Sequence, residues 1–170
     1  GKGKEFKEEI NDLIENIRLV LPKTFESKDY TSRRENTLRD LEKQKKALIK
    51  NINIKAKQEG FEIQSTQAGL ILVPIINGKA ISQEDLLKIP QKIKNKIQEN
   101  RSRLETELRS TMRVFLTMEQ KIREELKKLN RDVALYTVGH LVNSLKEKYK
   151  NNTQVIEYLI GIQTDILNNL

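Results

Sequence analysis

The sequence predicts a mainly α-helical protein: a long antiparallel coiled-coil arm on a small helical bundle, with a short β-hairpin or small sheet at the arm tip. Three observations predict it. First, the run from Gln91 to Val138 has no Gly and no Pro, and its apolar residues fall three or four apart. They are Ile97, Leu104, Leu108, Thr111, Phe115, Met118, Ile122, Leu126, Leu129, Val133 and Tyr136, the seam of a helix packed along one stripe. Second, a matching stripe lies upstream at Leu38, Leu41, Lys45, Leu48, Ile52 and Ala56, so the long helix has a partner within the chain. Third, between these helices the period changes from about four to two, over Phe61 to Ile76.

The elements follow in order. Gly1 to Glu5 reads as a cut connection, so the chain is expected to be a segment of a longer protein, and no signal peptide is legible. The Gly-Lys-Gly-Lys opening lacks both the preceding strand and the ending of a phosphate loop. Phe6, Ile10, Leu13, Ile14, Ile17 and Val20 mark one face of a first helix over about 6–21, which Pro22 is expected to end. Ser27 or Ser32 can cap the second helix, and Ser32 with Glu35 has capping-box spacing. That helix should run to about Glu59, with Gly60 as C-cap and Lys45 as a polar interruption snorkelling out of the seam.

Phe61, Ile63 and Ser65 alternate with polar residues, Gly69 to Ile76 is an apolar β-branched run, and Asn77-Gly78 is a tight-turn signal. Strands are expected at about 61–66, 70–75 and 79–81, with Pro74 pointing to an edge strand. Ser82 with Asp85 resembles a cap for a short helix that Pro90 closes. In the long helix, Gly139 should bend or break the rod, or allow close packing. Asn152 or Thr153 caps a last helix with Val155, Ile156, Leu159, Ile160, Ile162, Ile166 and Leu167 apolar. The expected organisation is a single domain: a base of about 1–30 and 131–170, an arm of about 31–60 and 91–130, and a β-containing tip of about 61–90. Both chain ends then fall in the base, as in a domain inserted into a larger one.

Composition limits the chemistry. The net charge is +8, with 32 Lys and Arg against 24 Asp and Glu. The excess lies on the long helices, where residues 91–150 carry 15 basic and 8 acidic groups. A solvated coiled-coil surface explains it, and attraction to a polyanion is the alternative. No aromatic residues are interleaved with the basic ones, against a single-strand nucleic-acid platform. There is no Cys, which excludes disulfides and thiolate metal sites and agrees with a reducing, cytoplasmic compartment. No apolar run approaches about 18 residues, so no membrane partner is expected.

Catalytic signatures are absent. The lone His140 sits on an apolar stretch without a Ser or Asp partner by spacing, and is expected to be a core histidine bonded to the backbone. Glu8-Glu9 and Glu124-Glu125 are adjacent on helices and do not face each other. No catalytic, cofactor-binding or metal-binding residue is assigned, and this segment by itself is expected to be catalytically inert. The apolar residues of the strands are the candidate contact surface for substrate: Phe61, Ile71, Val73, Ile75 and Ile76.

Several stretches, in order along nearly the whole chain, resemble the Lon-like ATP-dependent proteases of bacteria. They are Leu-Pro-Lys-Thr-Phe-Glu-Ser-Lys-Asp-Tyr at 21–30, Glu-Gly-Phe-Glu-Ile-Gln at 59–64, Gly-Leu-Ile-Leu-Val-Pro at 69–74 and Asn-Gly-Lys at 77–79. Val-Ala-Leu-Tyr-Thr-Val-Gly-His-Leu at 133–141, Glu-Lys-Tyr at 147–149 and Asp-Ile-Leu-Asn-Asn at 165–169 complete the series. The resemblance implies a helical insertion in the AAA+ ATPase module, between the nucleotide-binding loop and the later ATPase motifs. It implies that ATP, Mg and the serine–lysine protease dyad belong to other segments of the parent, an ATP-dependent serine endopeptidase. Its implied partners are unfolded protein substrates and neighbouring protomers of a ring-shaped homo-oligomer. The expected function is an auxiliary domain for substrate engagement or ring assembly; the alternatives are a basic coiled-coil module binding nucleic acid, or a structural spacer. The chain departs from the family at Lys43, Lys45, Lys46 and Lys50, where acidic residues are often found.

Overall fold

The computed structural model describes residues 1–170 and is mainly α-helical, at 79% helix, with one small antiparallel sheet. The elements are α1 (Lys2–Phe25), α2 (Lys28–Gln58), β1 (Phe61–Thr66), β2 (Gly69–Ile76), β3 (Lys79–Ala80), α3 (Gln83–Leu87), α4 (Gln91–Lys148) and α5 (Thr153–Asn168). Their contacts form two compact units, one of Gly1–Arg39 with Lys121–Leu170 and one of Asp40–Gln120.

In the first unit, Ile10, Leu13 and Ile17 of α1 pack with Val138 and Val142 of α4 and Leu159 of α5. Phe6, Ile14, Leu21, Leu141 and Ile162 surround them. This apolar contact explains why α1 runs through Pro22 instead of stopping there. Proline forfeits the bond its N–H would give to the Arg18 carbonyl, but it stands in the last turn, where its own carbonyl still accepts from the Glu26 N–H at 3.1 Å. α2 starts earlier than the Ser32 spacing suggests, because Ser27 is the residue that caps it: its Oγ accepts from the Tyr30 N–H at 3.3 Å. Tyr30 is buried, meets Phe25 edge-on at 5.0 Å, and donates its hydroxyl proton to Asn130 Oδ1.

Gly139 does not break α4, which continues to Lys148. Val138 and Val142 on either side are fully buried, and that packing outweighs the ~1 kcal/mol a helical Gly costs relative to Ala. A side chain at 139 would meet Gln163 of α5 at 3.4 Å, so the glycine sits where α5 lies close. The buried line of α4 steps by four through Ala134, Val138 and Val142. Val133 is therefore only half-buried, and Tyr136, expected in the seam, is 80% exposed. Asn152 caps α5 by accepting from the Val155 N–H at 3.3 Å.

In the second unit, α2 and α4 run antiparallel. Lys45 pairs with Glu119, Lys55 Nζ reaches Glu107 Oε2 at 3.1 Å, and Glu59 faces Arg103 at 3.9 Å. Leu41, Ile52 and Ala56 of α2 and Leu104, Leu108 and Phe115 of α4 are buried. Lys45 keeps its place in this stripe because its stem runs past Phe115, its ammonium 5.9 Å from the ring centroid, to end on the Glu119 carboxylate.

The sheet has the order β1-β2-β3, antiparallel throughout. Asn77 (φ 52°) and Gly78 (φ 77°) form the two-residue turn joining β2 to β3, a left-handed pair that Asn-Gly tolerates. The sequence reading of Pro74 as an edge-strand residue is corrected: β2 is the central strand. Pro74 is tolerated because the strands change over at that point. Pairing with β1 ends at Phe61 opposite Pro74, and pairing with β3 begins at Ile75. The Pro74 carbonyl accepts from Ile81 N–H at 2.9 Å, and the next amide, Ile75, donates to Gly60 O at 2.8 Å. Ser82 caps α3 through the Asp85 N–H at 3.2 Å.

Candidate functional site

Strand alternation sorts the candidate contact residues onto two faces. Phe61, Ile63 and Ser65 of β1 lie opposite Pro74, Leu72 and Leu70 of β2. This face packs on the helices: Phe61 is 1% exposed among Ala56, Leu104, Ile63, Leu72 and Ile97. Phe61 is a core residue with no surface left for another molecule, which corrects its place among the contact residues. Its ring fills the junction of α2, β1 and α4 because it opens the strand directly after the Gly60 cap, where the chain turns back (φ 82°). Ile76 belongs by alternation to the same face as Pro74 and is half-buried.

Ile71, Val73 and Ile75 share the other face, with Glu62 opposite Val73, Gln64 opposite Ile71 and Ala80 opposite Ile75. Ile71 is 43% exposed, and Val73 and Ile75 are half-buried. These three form one apolar row on a surface whose neighbours are a carboxylate, an amide and a methyl group. β1 pairs only with β2, so its second edge has no strand partner. An apolar row beside an unpaired strand edge can bind an extended polypeptide: backbone bonds give affinity without sequence preference, and alternate side chains meet the row.

His140 is exposed, which corrects its assignment to the core. It follows the buried line at Val138 by two residues, and a step of two carries a side chain to the opposite side of a helix. It lines a shallow groove with Thr24, Tyr30, Arg33, Asp132 and Tyr136 and makes no hydrogen bond to them. No group of three or more His, Asp or Glu side chains is placed to hold a metal ion.

The strongest electrostatic arrangement lies elsewhere, where the end of α4 meets α1. Lys148 donates to Glu9 and, at 3.0 Å, to Glu5, and the Tyr149 hydroxyl donates to Glu9 Oε2 at 2.6 Å. The Lys148 hydrogen bond, then that of Tyr149, holds the Glu9 carboxyl below the usual carboxylate range. The same bonds raise Lys148, through Glu9 first and Glu5 second, and raise Tyr149, through Glu9 first and burial second. The signs define a stability plateau. The lowered Glu9 contributes above its ordinary value of about 4.3 and is lost as pH falls through its folded value; the raised Lys148 and Tyr149 contribute below about 10 and are lost as pH rises through theirs. Glu9→Gln is expected to flatten both limbs of a plot of melting temperature against pH. Parallel curves for the two proteins would mean that the group adds nothing to stability.

The fold is that of a mainly helical protein with a small antiparallel sheet. No protein-family model matches the chain, and no curated protein does.

Proposed function

We propose that this chain is an auxiliary, non-catalytic domain of a Lon-like ATP-dependent protease, and that it takes hold of unfolded polypeptide through the outer face and free edge of its small sheet. The observation that carries this reading is the row Ile71, Val73 and Ile75, turned away from the Phe61 core, in a sheet whose strand β1 has one edge without a strand partner. The family part rests on the stretches 21–30, 59–64, 69–74 and 133–141, whose resemblance is described above. A protease that unfolds its substrates needs contacts that accept many sequences, and aliphatic side chains with backbone hydrogen bonds supply them. ATP, Mg and the proteolytic serine are contributed by other segments of the cytoplasmic parent enzyme, whose neighbouring protomers form a ring around the substrate.

The test is the triple substitution Ile71→Thr, Val73→Thr and Ile75→Thr, which keeps β-branched side chains in the strand while removing the apolar row. Binding of a reduced, carboxymethylated and therefore unfolded protein is measured by fluorescence anisotropy. The variant is expected to bind about tenfold more weakly, a loss of roughly 1.4 kcal/mol. Unchanged affinity with intact helicity would exclude the sheet as the contact surface and leave a structural spacer. Tight binding of duplex DNA, with a steep slope of log affinity against log salt, would favour the nucleic-acid reading instead.

A further inference from the structure

The second half of α2 carries a pattern that the proposed function does not use. From Lys43 to Lys57 there are six lysines and no carboxylate. Lys45 and Lys55 are neutralised across the helix pair by Glu119 and Glu107. Lys46, Lys50 and Lys57 have no such partner, and together they line one groove of about 510 Å³ between α2 and β1. Ile49, Asn53 and Ile54 of α2 and Glu62 and Ile63 of β1 complete its walls. Ile54 is 48% exposed there.

Two features of this groove call for an anionic occupant. Like charges four apart on a helix oppose its formation, and Lys46 and Lys50 stand in that relation; Glu42 stands four residues before Lys46, but no carboxylate stands three or four residues from Lys50. Three ammonium groups also face a single carboxylate, Glu62, so the groove keeps an excess of positive charge. The lysines follow one helix face at steps of four and seven, over about 16 Å of helix axis. Ile49, Ile54 and Ile63 lie among them, so the occupant must bring aliphatic surface as well as negative charge. The lining holds no arginine for bidentate phosphate contacts and no aromatic ring for base stacking.

We propose that this groove binds an acidic, amphipathic polypeptide segment, its carboxylates paired with Lys46, Lys50 and Lys57 and its aliphatic side chains against Ile49, Ile54 and Ile63. None of Ile71, Val73 and Ile75 lines this groove, although its wall shares Glu62 with the surface around that row. The groove adds a selective contact, for segments that carry glutamate or aspartate among aliphatic residues, to a surface that reads none.

The experiment uses the full chain and three fluorescein-labelled probes: a peptide of alternating Glu and Leu, a polyglutamate peptide of equal length and an oligothymidine. Anisotropy is expected to show the Glu/Leu peptide binding at least tenfold more tightly than either other probe, with affinity falling as salt is added. The triple substitution Lys46→Gln, Lys50→Gln and Lys57→Gln, which replaces exposed unpaired groups, should abolish that preference, and Ile54→Ser should reduce it. In the sheet variant Ile71→Thr, Val73→Thr, Ile75→Thr, the Glu/Leu binding that remains should still fall with added salt and be removed by the three glutamine substitutions, which separates failure here from failure of the proposed function. Equal binding of polyglutamate or oligothymidine would show an unselective basic face and overturn the proposal. So would full retention of Glu/Leu binding by the glutamine variant.

Discussion

Phe61→Ala is expected to destabilise the protein by about 3–5 kcal/mol, the range for emptying a buried aromatic site. The ring is almost wholly enclosed by Ala56 of α2, Leu104 and Ile97 of α4, and Ile63 and Leu72 of the sheet. The Arg101 guanidinium stands over the ring, 5.8 Å from its centroid. Three elements therefore meet on one side chain. Ala56 is too small to close the gap, and Leu104 is already enclosed, so the cavity would persist. A small sheet packed by one face has no second core to hold it once that contact is gone. Urea unfolding followed by far-ultraviolet circular dichroism measures the change. Ile71→Ala on the opposite face is the control, expected to cost well under 1 kcal/mol because that side chain is already exposed to water. Equal losses for the two variants would mean that the faces are not distinguished as described.

Leu159→Ala should cost about 2–5 kcal/mol through the first unit. Leu159 is fully buried where α5 meets α1 and α4, against Ile10, Leu13, Ile17, Val138 and Val142. The next residue, Ile160, is of similar size and apolarity but exposed, so Ile160→Ala should stay within about 0.5 kcal/mol. One residue along a helix turns the side chain through roughly 100°, and this pair isolates that rotation from composition. A loss below about 1 kcal/mol for Leu159→Ala would mean that α5 is not docked through this residue.

Much of the local structure was legible residue by residue. The change of period at Phe61 located β1 and β2 to within one residue, and Asn77-Gly78 located the turn, because side-chain alternation and positive φ are properties of a few neighbouring residues. The Ser82 and Asn152 caps were legible for the same reason. Ala134 is not: a fully buried alanine has too little apolar surface to mark a stripe, and the larger Tyr136 marks the apolar spacing in its place. The apolar neighbours of His140 point to a core residue, whereas the helix turns it outward.

The candidate site was legible only as a set of apolar strand residues. Dividing that set required the register. Phe61 opposite Pro74 and Val73 opposite Glu62 put the phenyl ring on the packed face and the valine on the other. The lysines of α2 were visible as a departure from the resembling family, but which of them were paired was not, since Glu119 and Glu107 lie more than fifty residues away in sequence.

By itself, then, the sequence determined a mainly helical chain with a small sheet, its strand and helix positions, its turns and most of its caps. These follow from φ/ψ preferences and side-chain period, which act over fewer than about ten residues. Tertiary structure decided that α1 passes through Pro22, that α4 passes through Gly139, that Pro74 stands in a central strand, and which strand face is open. In each case a local preference worth about 1–3 kcal/mol met apolar burial or hydrogen bonds supplied by residues distant in the chain, and those contacts decided the outcome.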